Sequence, residues 1–149
     1  WGRGMAQIFA VVSPDMHKEF DIGYMKRLFD RCGLTYYGCC EPLDKKIDIL
    51  REFTNLRRIS ITPWADADVA ADAMGDKYVL SAKSNPAYVS QPVFDPQPVI
   101  EETKKILLGC KRNNTPCEFI LKDISTINRN QNHLTQWVKT VSDTIDRYW

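Results

Sequence analysis

Short apolar runs alternate with amphipathic stretches along the chain, and this alternation predicts five strand–helix units. The predicted strands cover residues 7–12, 34–37, 58–61, 77–81 and 117–121. Short runs of this kind are typical of strands buried on both faces of a parallel sheet. The pattern therefore predicts an α/β fold, a parallel β/α repeat in one domain spanning residues 1–149.

The stretches between the strands carry apolar side chains at helical spacing. In the first helix they form one stripe, made of Phe20, Tyr24, Met25, Leu28, Phe29 and Cys32. Asp66 or Asp68 is suited to cap the helix after the third strand, and Asp95 followed by Pro96 is a typical helix start. Residues 83–98 contain four prolines and are predicted to form a long loop.

Five such units fit two architectures, an open doubly wound sheet or part of an eight-unit (β/α)₈ barrel. Doubly wound sheets that bind nucleotides usually carry a glycine-rich first strand–helix turn. Here the first turn, residues 13–17, has no glycine, and no G-x-G-x-x-G or P-loop motif occurs anywhere. Nucleotide binding therefore loses support, while both architectures stay open.

Charge and cysteine content narrow the functional classes. The 20 Lys and Arg residues balance 19 Asp and Glu residues and are scattered, which argues against a nucleic-acid partner. No apolar run approaches the roughly 20 residues that cross a bilayer, and no signal segment opens the chain. The five cysteines, an odd number, do not form a typical disulfide framework. We therefore expect free thiols and a cytoplasmic protein without a membrane partner.

Parallel β/α folds collect their chemistry at the C-terminal ends of the strands. Cys39, Cys40 and Glu41 follow the second predicted strand, and they are the candidate catalytic residues and metal ligands. Thiolates and carboxylates bind zinc, for which His17 or Glu19 would supply a third ligand. Alternatively, one cysteine is simply a small buried residue at a tight strand end, since the C-x₂-C spacing of common zinc sites is absent.

The other strand ends supply candidate substrate-binding residues: Trp64, Asp66, Lys83, Lys122 and Asp123. Four of them have a structural alternative, which is a local ion pair for Lys122 and Asp123, a plug for Trp64 and a solvated loop charge for Lys83. His17 and His133 are expected at the surface.

Three runs carry a resemblance to a known family. They are SPDMHKEFDIGYMKRLFDRCGL (13–34), YGCCEPLDKKIDILREFTNLRRISITPWADADVAADAMGDKYVLSAKSNPA (37–87) and ILKDIST (120–126). Together they resemble the uroporphyrinogen-decarboxylase superfamily, most closely its bacterial decarboxylase-like branch. The resemblance implies a partial TIM barrel, the C-terminal portion of about five units.

This superfamily includes porphyrinogen decarboxylases and cobalamin- or corrinoid-dependent methyltransferases. The resemblance implies methyl transfer from a small methylated substrate at a cysteine-centred zinc site, with the corrinoid on a partner protein. The methyltransferases use a His-x-Cys pair at the matching strand end and a further Cys on the last strand. Here Gly38 or Tyr37 stands in the His place, and residues 119–123 contain no cysteine, so the zinc site would be a variant one. The substrate-binding residues of the decarboxylases lie in barrel units that do not match this chain.

Five barrel strands leave two open sheet edges, which must be paired or covered. We therefore expect a homodimer, or a chain that is part of a longer protein. The alternative function is that of a non-catalytic, truncated barrel fragment with a binding or structural role.

Overall fold

The computed structural model describes all 149 residues and contains one five-stranded parallel sheet. Its strands are β1 (Gly2–Gly4), β2 (Thr35–Tyr37), β3 (Leu56–Ile61), β4 (Val79–Ser84) and β5 (Cys117–Leu121). The helices are α1 (Pro14–His17), α2 (Gly23–Phe29), α3 (Ile47–Leu50), α4 (Ala67–Met74), α5 (Ala87–Ser90), α6 (Pro96–Arg112) and α7 (Asn132–Tyr148). The α/β class with a parallel sheet is confirmed. No helix has the length and apolarity needed to cross a membrane.

The strands lie in the sheet in the order in which they occur along the chain, β1-β2-β3-β4-β5. All four neighbouring pairs are parallel. A doubly wound sheet reverses its strand order at a switch point, and no reversal occurs here. Right-handed crossovers between consecutive strands place the connecting helices on one face. The sheet is therefore wound in one direction, and the doubly wound alternative does not describe it.

The two faces of the sheet differ in chemistry because side chains alternate along each strand. One face packs against the helices, where Tyr37, Ile59, Leu80 and Ala82 belong to a core of 19 buried residues. Their sequence neighbours point the other way. This opposite surface, called the inner face below, carries Arg3, Tyr36, Arg58, Ser60, Ser81, Lys83 and Glu118. The sheet thus has one apolar face and one polar, charged face.

Contacts across the inner face skip strands. The Tyr36 hydroxyl on β2 lies 3.1 Å from Ser81 Oγ on β4. Arg58 on β3 forms a 3.0 Å ion pair with Glu118 on β5. Two strand spacings amount to roughly 10 Å in a flat sheet. Contacts that span an intervening strand favour a curled sheet, in which the inner face is concave.

The prediction of a first strand at residues 7–12 is wrong. Residues Gln7–Phe9 form a 3₁₀ turn, and Ile8 and Val11 are 83% and 94% exposed. The first strand is β1, where a Cβ on Gly4 would lie 2.8 Å from Met25 Sδ and 2.9 Å from Phe29 Cζ. The first strand needs small residues because the following helix packs closely on it. A search for apolar runs does not detect a strand that consists mostly of glycine.

The predicted apolar stripe of the first helix is wrong for half of its members. Phe20, Tyr24 and Leu28 are more than half exposed, whereas Phe29 is buried. The buried side of this segment runs through Ile22, Met25 and Phe29, and a π-helical turn at Lys18–Ile22 precedes α2. Such a turn adds a residue and shifts the side chains that follow around the helix axis.

The other elements agree better with the prediction. The second, third and fifth strands are confirmed within two residues, and Asp66 and Asp95 cap α4 and α6 as expected. The fourth strand starts two residues late and runs to Ser84, so Lys83 is a strand residue that is 3% exposed and not a solvated loop charge. His133 is also buried, contrary to expectation, and its Nδ1 lies 3.0 Å from the Val89 carbonyl.

We predict that Gly4→Ala destabilises the protein by about 1–3 kcal/mol, because the new methyl group overpacks the contact of β1 with α2. Gly23→Ala is the matched control, since a Cβ there meets nothing within 4 Å and alanine favours the helix. Urea unfolding measures both variants. Equal midpoints for the two would contradict the packing of β1 beneath α2.

Candidate functional site

A cleft of about 410 Å³ opens at the C-terminal ends of the strands. Its wall is formed by Cys40, Pro42, Thr62, Pro63, Trp64, Ser84, Pro86, Lys122 and Asp123. Four of these residues are sequence-predicted site residues: Cys40, Trp64, Lys122 and Asp123. Trp64 is 71% exposed, so it forms a wall of the cleft and is not a buried plug. The structure therefore brings residues that follow β2, β3 and β5 to one place.

Cys39, Cys40, Lys122 and Asp123 touch one another and form what we call the thiol cluster. The Lys122 ammonium contacts Cys40 Sγ, and it lies 3.6 Å from Cys39 Sγ and 2.5 Å from Asp123 Oδ2. Cys40 Sγ donates to Asp123 Oδ2 at 3.0 Å, and the two sulfur atoms are 3.4 Å apart. One cation is thus surrounded by two sulfur atoms and a carboxylate.

The thiol cluster favours a protonated Cys40. The pKa of the Cys40 thiol is raised to about 11. Burial is the main cause of the rise; the hydrogen bonds with Asp123 and Cys39 also raise this pKa, whereas the contact with Lys122 lowers it. The Lys122 hydrogen bond is the main reason why the pKa of Asp123 lies below its usual range. Burial lowers the pKa of Lys122, but its bonds to Asp123 and Cys40 outweigh burial and leave that pKa above the ordinary value. At neutral pH the cluster is a thiol beside a Lys–Asp ion pair.

A tight turn after β2 positions the two cysteines. Gly38 has a φ of +96°, and a Cβ there would lie 2.6 Å from Leu43 Cδ1, so the turn requires glycine. Ser60 Oγ on β3 donates to the Cys39 carbonyl at 2.9 Å. The turn is therefore fixed to the neighbouring strand.

Glu41 holds this turn with its carboxylate. Oε2 accepts the backbone amides of Cys39 and Cys40, both at 3.0 Å, and Oε1 accepts the Ala6 amide at 3.1 Å. The Glu41 side chain is buried, at 1% exposure. Because both oxygens bind the backbone, the geometry of Glu41 favours a positioning role over direct chemistry.

The remaining predicted site residues lie outside the thiol cluster. Asp66 Oδ1 accepts the amides of Asp68 and Val69 at the start of α4, so its carboxylate serves the helix cap. Lys83 lies on the inner face, where its ammonium donates to the Tyr36 hydroxyl at 2.5 Å and to Ser81 Oγ at 3.0 Å. Sequence reasoning did not assign Lys83 to a buried position.

The two suggested third zinc ligands are not beside the thiols. His17 is fully buried, contrary to the expectation of exposure; its Nε2 lies 2.6 Å from the Tyr37 hydroxyl and its ring stacks on Phe9. Glu19 is exposed on the π-helical turn. Tyr37 also donates to Asp21 at 2.6 Å, and burial raises the pKa of Tyr37 far above its usual value. His17 thus belongs to a buried structural network.

The donor set around the thiols does not fit a zinc ion. No group of three or more His, Cys, Asp or Glu side chains is arranged to hold a metal ion. The carboxylate oxygens of Glu41 are bound to amides, and the Lys122 ammonium stands where a metal would meet both sulfur atoms. A positive lysine within bonding distance of the ligands opposes a divalent cation.

Sequence reasoning missed Arg3 and Tyr36, and it named Glu41 as a catalytic residue and metal ligand but not as the anchor of the turn. Arg3 lies over the Tyr36 ring, with its Cζ 5.3 Å from the centroid. The alternation of residue types along the strands could have revealed the inner face, because Tyr36 stands beside the buried Tyr37, and Lys83 stands beside the buried Ala82. A polar residue between two core residues of a strand indicates a second, polar face. The role of Glu41 left no such signal.

No model of a known protein family matches the chain, and no curated protein matches it significantly. The resemblance to the uroporphyrinogen-decarboxylase superfamily therefore remains a prediction. The chemistry of the cleft follows from its side chains alone.

We predict that Glu41→Ala lowers the free energy of unfolding by about 3–5 kcal/mol, because it leaves three backbone amides without their charged acceptor. Glu41→Gln should cost about 1–3 kcal/mol, since one acceptor oxygen remains. Glu19→Ala is the exposed control and should stay within about 0.5 kcal/mol of the wild type. Urea unfolding gives the energies. A Glu41→Ala midpoint equal to that of Glu19→Ala would refute the positioning role.

Proposed function

We propose that this chain is a uroporphyrinogen-decarboxylase-like enzyme that acts on a small molecule in the cleft, with Cys40 as its reacting thiol. Methyl transfer from a small methylated substrate is the reaction we favour. The observation that carries the proposal is the Cys40 sulfur, which lies on the cleft wall between the Lys122 ammonium and the Asp123 carboxylate. A thiolate is a strong nucleophile, and an adjacent lysine stabilises it.

The strand order and curvature support a barrel lineage. Cys40 follows β2 and touches Asp123, which follows β5, although β3 and β4 lie between them. Three strand spacings would separate these ends by roughly 14 Å in a flat sheet. A singly wound, curled sheet with its chemistry at the C-terminal strand ends is the pattern of a (β/α)₈ barrel. We therefore propose that the sheet is part of such a barrel.

The reaction consists of one proton loss and one displacement. The Cys40 thiol loses its proton to a solvent base, because Asp123, with its lowered pKa, is a poor proton acceptor. The thiolate then attacks the methyl carbon; a sulfur–carbon bond forms, and the leaving group departs with the electron pair of the broken bond. Lys122 stabilises the negative sulfur before the attack.

The remaining parts of the proposal come from the resemblance and the composition. We propose a cytoplasmic location, no nucleic-acid partner, and a corrinoid carried by a partner protein as the other methyl carrier. Zinc would require Lys122 to leave the sulfur atoms, so no step of the reaction is assigned to zinc.

We predict that Asp123→Asn speeds alkylation of Cys40 by iodoacetamide at pH 7–8 by about tenfold, which corresponds to a fall of about one unit in the thiol pKa. The reason is that the carboxylate raises this pKa. Lys122→Met should slow alkylation by a similar factor, because the ammonium lowers the pKa. Peptide mass spectrometry measures the rate at each pH, and the wild-type rate should rise until about pH 11.

Asp72→Asn and Lys45→Met are matched controls, because both side chains are exposed and neither forms an ion pair. Cys32 in the same samples provides an internal reference thiol. Asparagine tolerates the φ of +54° at position 123, so Asp123→Asn changes the charge and keeps the backbone. An Asp123→Asn rate no higher than that of Asp72→Asn would refute the assignment of Cys40.

The second candidate function is a non-catalytic barrel fragment that binds or supports another chain. It is favoured by the unpaired outer edges of β1 and β5 and by the exposed Phe20, Tyr24 and Leu28 on the helical segment between β1 and β2. Such a fragment would keep the cleft without using its thiol. Both candidates require a partner for the open edges, and a second copy of the chain is the one we propose.

We predict a dimer with twice the 17.2 kDa chain mass in multi-angle light scattering, because an open sheet edge pairs or is covered. The measurement is repeated across a dilution series, and circular dichroism checks that the chain stays folded. A folded species of 17.2 kDa at all concentrations would contradict the expected homodimer.

A further inference from the structure

The charges on and beside the inner face do not balance. Four cationic side chains, Arg3, Arg58, Lys83 and Lys122, face two carboxylates, Glu118 and Asp123. Arg58 pairs with Glu118 at 3.0 Å and Lys122 pairs with Asp123 at 2.5 Å. No carboxylate lies within 4.0 Å of Arg3 or Lys83. Two positive charges therefore remain without a direct ion-pair partner, although Lys83 acts on Asp123 at longer range and helps to lower the pKa of that carboxyl.

Lys83 is the more informative of these two cations. It is 3% exposed, and its ammonium donates only to two neutral hydroxyl groups, those of Tyr36 and Ser81. An ammonium has three N–H donors, so one remains without a partner. A buried charge without an ionic partner is costly and is normally paired. An incomplete donor set of this kind is suited to receive an anion.

Both unpaired cations meet at one aromatic side chain. Arg3 Cζ lies 5.3 Å from the Tyr36 ring centroid, and Lys83 Nζ lies 5.1 Å from it. Because Lys83 Nζ is only 2.5 Å from the hydroxyl oxygen, the ammonium lies at the hydroxyl end of the ring and not above its face. Arg3 is exposed and forms no hydrogen bond to a protein group, so its guanidinium fork is free.

From this geometry we infer that Arg3, Tyr36, Ser81 and Lys83 form a subsite for a small oxyanion, a carboxylate or phosphate group, on the concave inner face. The Arg3 fork matches the two oxygens of such a group, and Lys83 supplies the second charge. The subsite lies on the same side of the sheet as the thiol cluster. The inference that this anion is part of the substrate rests on the proposed function. The inference that the subsite binds an anion does not depend on any reaction at Cys40.

Calorimetric titration with acetate and with inorganic phosphate tests the subsite. The wild type should bind at least one probe saturably, and the tighter probe identifies the group. Arg3→Gln and Lys83→Met should each weaken binding about tenfold, the usual effect of losing one charged hydrogen bond. Arg31→Gln and Lys45→Met are the controls, since both side chains are exposed and unpaired, and they should leave the affinity unchanged.

Arg3 is exposed, so Arg3→Gln keeps the test valid if Lys83→Met fails to fold, and circular dichroism verifies the fold. No saturable binding of either probe to the wild type, or an equal loss in Arg3→Gln and Arg31→Gln, would overturn the subsite. Alkylation of Cys40 is measured separately. Anion binding with an unreactive Cys40 would support the subsite and reject the thiol chemistry, and the reverse result would reject the subsite alone.

Discussion

The Glu41 carboxylate is the interaction on which the site depends. Its two oxygens bind the amides of Cys39 and Cys40 after β2 and the amide of Ala6 after β1. The same group therefore shapes the turn that carries the thiols and fixes the segment that follows the edge strand. Hydrogen bonds to a buried charged acceptor are among the stronger ones in proteins. The direction of the Cys40 sulfur toward Lys122 and Asp123 follows from this anchor.

The chemistry of the chain also depends on the separation of the two sheet faces. The helix-covered face buries the apolar core, which leaves the inner face free for charged residues. Long side chains on this face bring charges from non-neighbouring strands into contact, as in the pair of Arg58 and Glu118. The low dielectric near a partly buried surface strengthens each of these interactions. Burial is the main cause of the raised pKa of Cys40, and Lys122 and Asp123, from a distant part of the chain, adjust it in opposite directions.

The sequence was sufficient to predict an element where its local pattern agrees with the tertiary packing. The apolar run at β5 lies after a turn, and Asp66 and Asp95 cap their helices, so these elements were predicted. Local patterns failed at residues 7–12, where an apolar run has no place in the sheet because β1 needs glycine beneath α2. Cys40, Lys122 and Asp123 were predicted as separate candidates from their strand ends. Their mutual contact, the use of Glu41 as an anchor and the burial of Lys83 depend on curvature and on long-range hydrogen bonds, which residue types do not encode.

The consecutive strand order has a consequence for how the chain folds. Each strand pairs with the one made just before it, so every addition closes a single helical connection, at a lower entropic cost than a contact across the whole sheet. The contact between Cys40 and Asp123, by comparison, joins residues 83 positions apart and requires β5 to be in place. Contacts at such separation form late because their loop entropy must first be offset by other structure. The sheet can therefore grow one strand at a time, whereas the contact between Cys40 and Asp123 forms only after β5 has joined.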